Sequence, residues 1–138
     1  MRILTAVLLL TCTLYSFSSH AINNEPTYSV AEMMKKQDSV LRHVVLFKFK
    51  EGTSEENLTK ILTAFSQLPS KIPQIKSYEW GLNNSPEGLE KGFTHCFFLT
   101  FNSEEDRAIY LPHPDHKAFG ALLGPHLDDV LVVDYWTK

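Results

Sequence analysis

From Arg42 onward the chain alternates. His43, Val45, Phe47 and Phe49 fall on one face, and Val44, Leu46, Lys48 and Lys50 on the other. Period two, with β-branched and aromatic residues, predicts a strand, and Glu51-Gly52 ends it. The period then lengthens. Leu58, Ile61, Leu62, Phe65 and Leu68 recur at helical spacing, which gives one face of an amphipathic helix. Thr53 and Glu56 have the spacing of a capping box at its start, and Pro69 marks its stop. Residues 74–82 predict a second strand, and Asn83 to Gly88 a turn-rich loop. Residues 92–101 predict a third strand, with Phe93, His95, Phe97, Leu99 and Phe101 on one face and Thr94, Cys96, Phe98 and Thr100 on the other. Ser103 and the acids after it open a short helix. Beyond Leu111-Pro112-His113-Pro114 a further helical stretch carries His116, Phe119, Gly120 and Leu123, stopped by Gly124-Pro125. Residues 129–136 predict the last strand.

The order β-α-β-β-α-β is that of an α+β, ferredoxin-like unit, a four-stranded antiparallel sheet with its helices on one face. The predicted strands are apolar on both faces, yet two helices cover only one. The uncovered face needs a partner, because a large apolar patch does not stay in water. The simplest partner is a second copy packed sheet to sheet, so the pattern predicts a homodimer.

The N-terminus has a different character. Arg2 precedes an apolar run over residues 3–17, and Ser19-His20-Ala21 sets small residues before a cleavage point. This reads as a signal peptide over residues 1–21; a membrane span needs about 20 apolar residues, more than this run holds. The expectation is an exported protein, periplasmic or secreted, with no membrane attachment after cleavage. Residues 22–41 read as an N-terminal extension and 42–138 as the folded domain. Cys12 leaves with the leader, and Cys96 alone cannot form an intrachain disulfide. Its place in an apolar run predicts a small buried hydrophobe.

Composition narrows the function. The 138 residues suit one domain. With 43% hydrophobic and 21% charged residues the chain is not disordered, collagen-like or a coiled coil. A formal charge of −3 offers no basic surface for nucleic acid. There is no Gly-rich phosphate loop, no Gly-x-Ser-x-Gly elbow, and no Cys-x-x-Cys or His-Glu-x-x-His pair. The reading is therefore of no cofactor and no metal site, although His113 and His116 with Asp115 or His126 could supply ligands. What remains is histidine on apolar strands. His43, Val45 and Phe47 share one face, and His95 and Phe97 share another. If both faces meet the helices, they line an apolar pocket holding imidazoles, a common form of ligand site. The plainer alternative is that His43 and His95 are hydrogen-bonded core histidines, and that His113 and His116 only cap the broken helix.

Six stretches carry a resemblance: HVVLFKFK, IPQIKSYEWG, SPEG, KGFTHCFFLTF, YLPHPDH and DVLVVDY. Together they resemble the stress-responsive A/B barrel family, the dimeric α/β-barrel (Dabb) domain. The resemblance implies a ferredoxin-like fold whose copies pair through their sheets. Its plant polyketide cyclase branch closes a poly-β-keto chain by aldol condensation, using a His and a Tyr in its His-Pro-x-His segment. Those positions fall on His116 and Tyr110, and the branch's strand histidines match His43 and His95. A pocket Tyr and a pocket Trp of that branch are replaced here by Phe65 and Leu127. Aldol chemistry needs a base for the proton α to a carbonyl and a donor for the oxygen; His116 and Tyr110 have the right side chains. The expectation is an exported homodimer that binds a small apolar or carbonyl-containing molecule in a pocket with His43, Val45, Phe47, His95 and Phe97. The alternatives are a cyclase- or lyase-like enzyme with His116 as base and Tyr110 as donor, and a structural stress protein without a ligand.

Overall fold

A computed structural model describes Ser29 and residues 39–138. The expected leader, and the extension apart from Ser29 and residues 39–41, lie outside the described residues. The first strand, β1 (Leu41–Phe49), takes in Leu41, which the pattern assigns to the extension. Val40 and Thr137 extend the ladder beyond it through a backbone hydrogen bond of 3.0 Å.

The helix after β1, α1 (Glu55–Ser66), is capped by Ser54, whose hydroxyl accepts from the Asn57 N–H at 3.3 Å. The expected Thr53/Glu56 capping box does not form. With Ser54 as cap, Glu56 is the second helical residue and cannot reach back as a third-position acid does. It pairs instead with Lys60 at 2.6 Å, while the Thr53 hydroxyl donates to the Lys50 carbonyl at 2.8 Å. Pro69 does not stop this helix either. It lies in the first turn of a separate four-residue helix, α2 (Leu68–Lys71), where a missing N–H costs nothing.

The remaining elements follow in the expected order, with shifted edges. They are β2 (Ser77–Leu82), β3 (His95–Phe101), α3 (Glu104–Tyr110), α4 (Pro114–Leu123), a 3-10 turn (Gly124–His126) and β4 (Leu127–Trp136). Ser103 caps α3 by accepting from the Asp106 N–H. His113 caps α4, its Nδ1 accepting from the Asp115 N–H at 3.2 Å, so this imidazole has the plain capping role.

The sheet order is β2-β3-β1-β4, antiparallel throughout. This is the ferredoxin-like α+β architecture, with the helices on one face. Register puts Tyr78, Leu99, His43 and Asp134 in one row across the sheet, facing the helices. The core lies between sheet and helices. Phe65 of α1 packs 4.5 Å from Phe97 of β3 and 4.5 Å from Phe119 of α4, and Phe47 of β1 lies 4.7 Å from Phe97. Burying a ring of this size contributes about 1.5–3 kcal/mol.

Among the described residues, no helix covers the other face. Val44, Leu46, Cys96 and Phe98 are half-buried there, while Leu131, Val133 and Tyr135 of β4 are 44–45% exposed. The Arg42 guanidinium lies 5.2 Å from the Phe98 ring centre and donates to the Thr100 hydroxyl. Cys96, expected as a small buried hydrophobe, lies on this face. It is half-buried on the open face, with its thiol pushed up by burial and by Glu79.

Candidate functional site

A cavity of about 490 Å³ opens between the helix-facing side of β1 and β4 and the break between α3 and α4. Its walls are largely apolar, formed by Val45, Phe47, Phe65, Phe119, Leu123, Leu127, Val130 and Val132. Four ionisable or hydroxyl-bearing side chains enter it: His43, Tyr110, His116 and Asp134.

Local sequence explains how they meet. Tyr110 ends α3, and Pro114 restarts the helix in α4. The intervening Leu111-Pro112-His113 turn brings His116, in the first turn of α4, back over Tyr110, with ring centres 4.3 Å apart. The His43 ring lies 5.8 Å from Tyr110 on the sheet side. Tyr110 is 1% exposed. Burial chiefly, and the neighbouring Tyr78 phenol as well, hold its hydroxyl far above the ordinary tyrosine value. The hydroxyl therefore keeps its proton and acts as a hydrogen-bond donor rather than a base. Tyr78 is pushed up to about 12 by burial, and its buried hydroxyl has no hydrogen-bond partner among the described residues.

Both cavity histidines have a fixed tautomer, because each is bonded through Nδ1 to a group that can only accept. The His116 Nδ1–H donates to the Leu111 carbonyl at 2.9 Å. The His43 Nδ1–H donates to Asp134 Oδ1 at 2.6 Å. Each ring then keeps Nε2 for other chemistry. Burial lowers the affinity of His116 for a proton; the His43 and His113 rings lower it further, and the Leu111 carbonyl works the other way. Neutral His116, with an unprotonated Nε2, is a base. The second oxygen of Asp134, Oδ2, lies 3.1 Å from Arg107 Nη1.

Of the expected site residues, His116, Tyr110, His43, Val45 and Phe47 line this cavity together. His95 and Phe97 do not. Both face the helices, but β3 lies beneath α1, and Phe65 fills the space above it. Phe97 is wholly buried in the aromatic core. His95 is further along the sheet, opposite Phe47. Its ring lies near-parallel to Trp80 at 6.2 Å and edge-on to Phe49 at 5.0 Å, and its Nδ1 bonds the Thr94 hydroxyl at 2.8 Å. It is thus a hydrogen-bonded core histidine. Phe65 and Leu127, the two replaced pocket positions, do line the cavity. Asp134 is the residue that sequence reasoning missed. Alternation along β4 places Val130, Val132 and Asp134 on one face, and a carboxylate on such a face implies a buried partner. Among the described residues, no group of three or more His, Cys, Asp or Glu side chains could hold a metal ion.

A ferredoxin-like sheet with an aromatic core and a His/Tyr cavity defines a class, and comparison with known proteins identifies the family. The profile described as Stress responsive A/B Barrel Domain matches residues 41–137, and the chain belongs to this family. The chain is similar to the Arabidopsis thaliana stress-response A/B barrel domain-containing protein HS1, at 37% identity over 102 residues, covering 74% of this chain and 94% of that one. It is also similar to olivetolic acid cyclase of Cannabis sativa, at 30% identity over 95 residues, covering 69% and 94%. Among solved structures, hydroxynitrile lyase from Passiflora edulis superposes with TM-score 0.68 at 26% identity, covering 72% and 94%. A protein from Thermobifida fusca, described as dimeric and ferredoxin-like, gives TM-score 0.60 at 30% identity, covering 72% and 92%.

The histidine environments make stability depend on pH. His116 and His95 are held below the ordinary value of 6.5, chiefly by burial. The unfolded chain therefore takes up protons that the folded chain resists. Their stabilising contribution is present above about pH 6.5 and is lost as pH falls through the lowered folded values. His116→Asn keeps a donor for the Leu111 carbonyl and removes one titration. Thermal melts between about pH 7.5 and about pH 5 are expected to show wild type losing more Tm than this variant. Parallel curves contradict the assignment.

Proposed function

We propose that this protein binds a small, largely apolar carbonyl compound in the cavity, with its carbonyl group beside the contacting His116 and Tyr110 side chains. The observation that carries the reading is the neutral His116 ring, bonded through Nδ1 to Leu111 and 4.3 Å from the buried Tyr110 phenol inside an apolar cavity. The arrangement suits removal of a proton α to a carbonyl. His116 Nε2 accepts the proton, the C–H electron pair moves into the enolate, and the Tyr110 hydroxyl donates to the oxygen where charge develops. The likeness to a cyclase and to a lyase favours this enzyme-like second reading over a purely structural role.

Acetophenone in deuterated buffer tests both readings. Binding is expected to shift the His116 ring signals in NMR spectra, and exchange of the methyl protons to accelerate. His116→Ala is expected to lose about 10²–10⁴ of that acceleration, and Tyr110→Phe about 10²–10³, with Tm nearly unchanged. Binding without exchange leaves the ligand-binding reading and removes the enzyme. Failure of acetophenone and of longer aliphatic ketones to bind overturns the cavity as a carbonyl site.

We also propose that a second copy covers the open sheet face. The exposed Leu131, Val133 and Tyr135 support this, as does the description of a relative as dimeric. Sedimentation at micromolar concentration is expected to give a dimer, with Phe98→Glu or Leu46→Lys shifting it to monomer. A monomeric wild type overturns the pairing.

The leader pattern over residues 1–21 supports export, with a mature N-terminus at Ile22. Intact Met1 on protein recovered outside the cytoplasm contradicts it.

A further inference from the structure

Arg107 and Tyr110 stand three residues apart on α3, so the helix presents both on one side. The turn that brings Tyr110 to the cavity therefore also brings Arg107 to β4. There its Nη1 lies 3.1 Å from Asp134 Oδ2, while Asp134 Oδ1 accepts from His43 Nδ1 at 2.6 Å. The two carboxylate oxygens thus serve two different partners.

We infer that Arg107 is a positioning residue of the cavity: it fixes the Asp134 carboxylate and thereby holds the His43 ring in a single orientation and tautomer. Asp134 needs such a restraint. Its side chain is 30% exposed at the edge strand, so with Oδ2 free, water could take that oxygen and the carboxylate could turn away from the imidazole. The His43 side chain is only 6% exposed, and water has little access to replace the lost bond.

Charge gives Arg107 a second role. Among the described residues, Asp134 is the only carboxylate in the cavity wall. Unpaired, it would oppose negative charge developing on a bound carbonyl, since like charges at short range repel. The guanidinium cancels it from behind, outside the lining residues. The groups facing His43 are consistent with this. Asp134 comes from β4, Tyr110 from α3 and His116 from α4, while β3 offers Leu99 and Phe101. The nearby Glu104 of α3 is held by Trp136 Nε1 at 3.5 Å.

This inference rests on the reading of the cavity as the site, but its test does not require a ligand. Long-range ¹H–¹⁵N spectra of the ligand-free, ¹⁵N-histidine-labelled full chain report the tautomer of each ring. Wild type is expected to show the Nδ1–H form for both His43 and His116. Arg107→Gln is expected to leave His43 as a mixture of tautomers and His116 unchanged, because His116 is fixed by a backbone carbonyl. Arg107→Lys is expected to restore the single His43 form. The inference is overturned if Arg107→Gln leaves His43 in one Nδ1–H form. Should Arg107→Gln disturb both rings, Arg107→Lys decides: recovery of both supports positioning, and anything less assigns Arg107 to folding alone. Acetophenone exchange is then expected to fall at least tenfold in Arg107→Gln. An unchanged exchange rate with a scrambled His43 tautomer confines Arg107 to His43 and removes its role in the chemistry. No acetophenone binding in wild type, with the tautomer result as expected, sinks the carbonyl site and leaves the Arg107 restraint standing.

Discussion

Phe65 of α1 meets Phe97 of the sheet and Phe119 of α4 at the same 4.5 Å separation. This three-way ring contact locks two helices onto β3 and β1, and the remaining features depend on where it sits. It lies over the β3 side of the sheet. Over β1 and β4 the covering comes from α4 and from the break that precedes it, and that junction does not fill the space. The cavity is the consequence. Aromatic packing on one half of the sheet leaves room on the other, and the same Phe65 and Phe119 that close the core form the cavity wall.

An apolar cavity exacts a condition on any polar group inside it, since an unbonded buried polar atom costs about 1–3 kcal/mol. His43 and His116 meet the condition in the same way, each through one nitrogen. One uses a carboxylate from the neighbouring strand, the other a carbonyl from the chain break. Because both acceptors lack protons, both rings must carry theirs on Nδ1. The structural bond thus decides the chemistry of the opposite nitrogen. Tyr110 differs: its phenol is buried enough to stay protonated, and it complements the free nitrogen of His116. A donor beside an accepting nitrogen in an apolar cavity suits a ligand with a carbonyl oxygen and an acidic C–H.

Alternation and helical spacing suffice to read the element order, the shared face of His43 and Phe47, and the need for cover on a second face. These depend on local period, which a sequence displays directly. Element edges depended on finer competition. Ser54 rather than Thr53 took the cap because the chain enters α1 one residue later, and Pro69 opened a turn instead of closing a helix. Within the site, the pairing of His116 with Tyr110 rests on the family resemblance and not on spacing, since a separation of six residues across a helix break has no periodic signature. His95 was misplaced for a tertiary reason. Alternation gives a face and not a position on it, and the space above β3 is taken by Phe65. Asp134 was missed because its role exists only in register with His43, a pairing across 91 residues of sequence.

β4 ties the two unfinished parts of the molecule together. Its odd and even residues serve opposite faces: Val130, Val132 and Asp134 line the cavity, while Leu131, Val133 and Tyr135 point to the open side. Among the described strands it is also an edge strand, paired with β1. A slip of one residue would exchange the two sets, placing Asp134 on the apolar face and removing the partner of His43. The register is held at one end by the Val40–Thr137 bond and at the other by the Lys50–His126 bond, and between them by the ion pair from Arg107. An apolar partner on the outer face would hold it further, since Leu131 and Val133 would then be buried only in the present register. Cover for the sheet and geometry at the cavity are therefore set by the same ten residues.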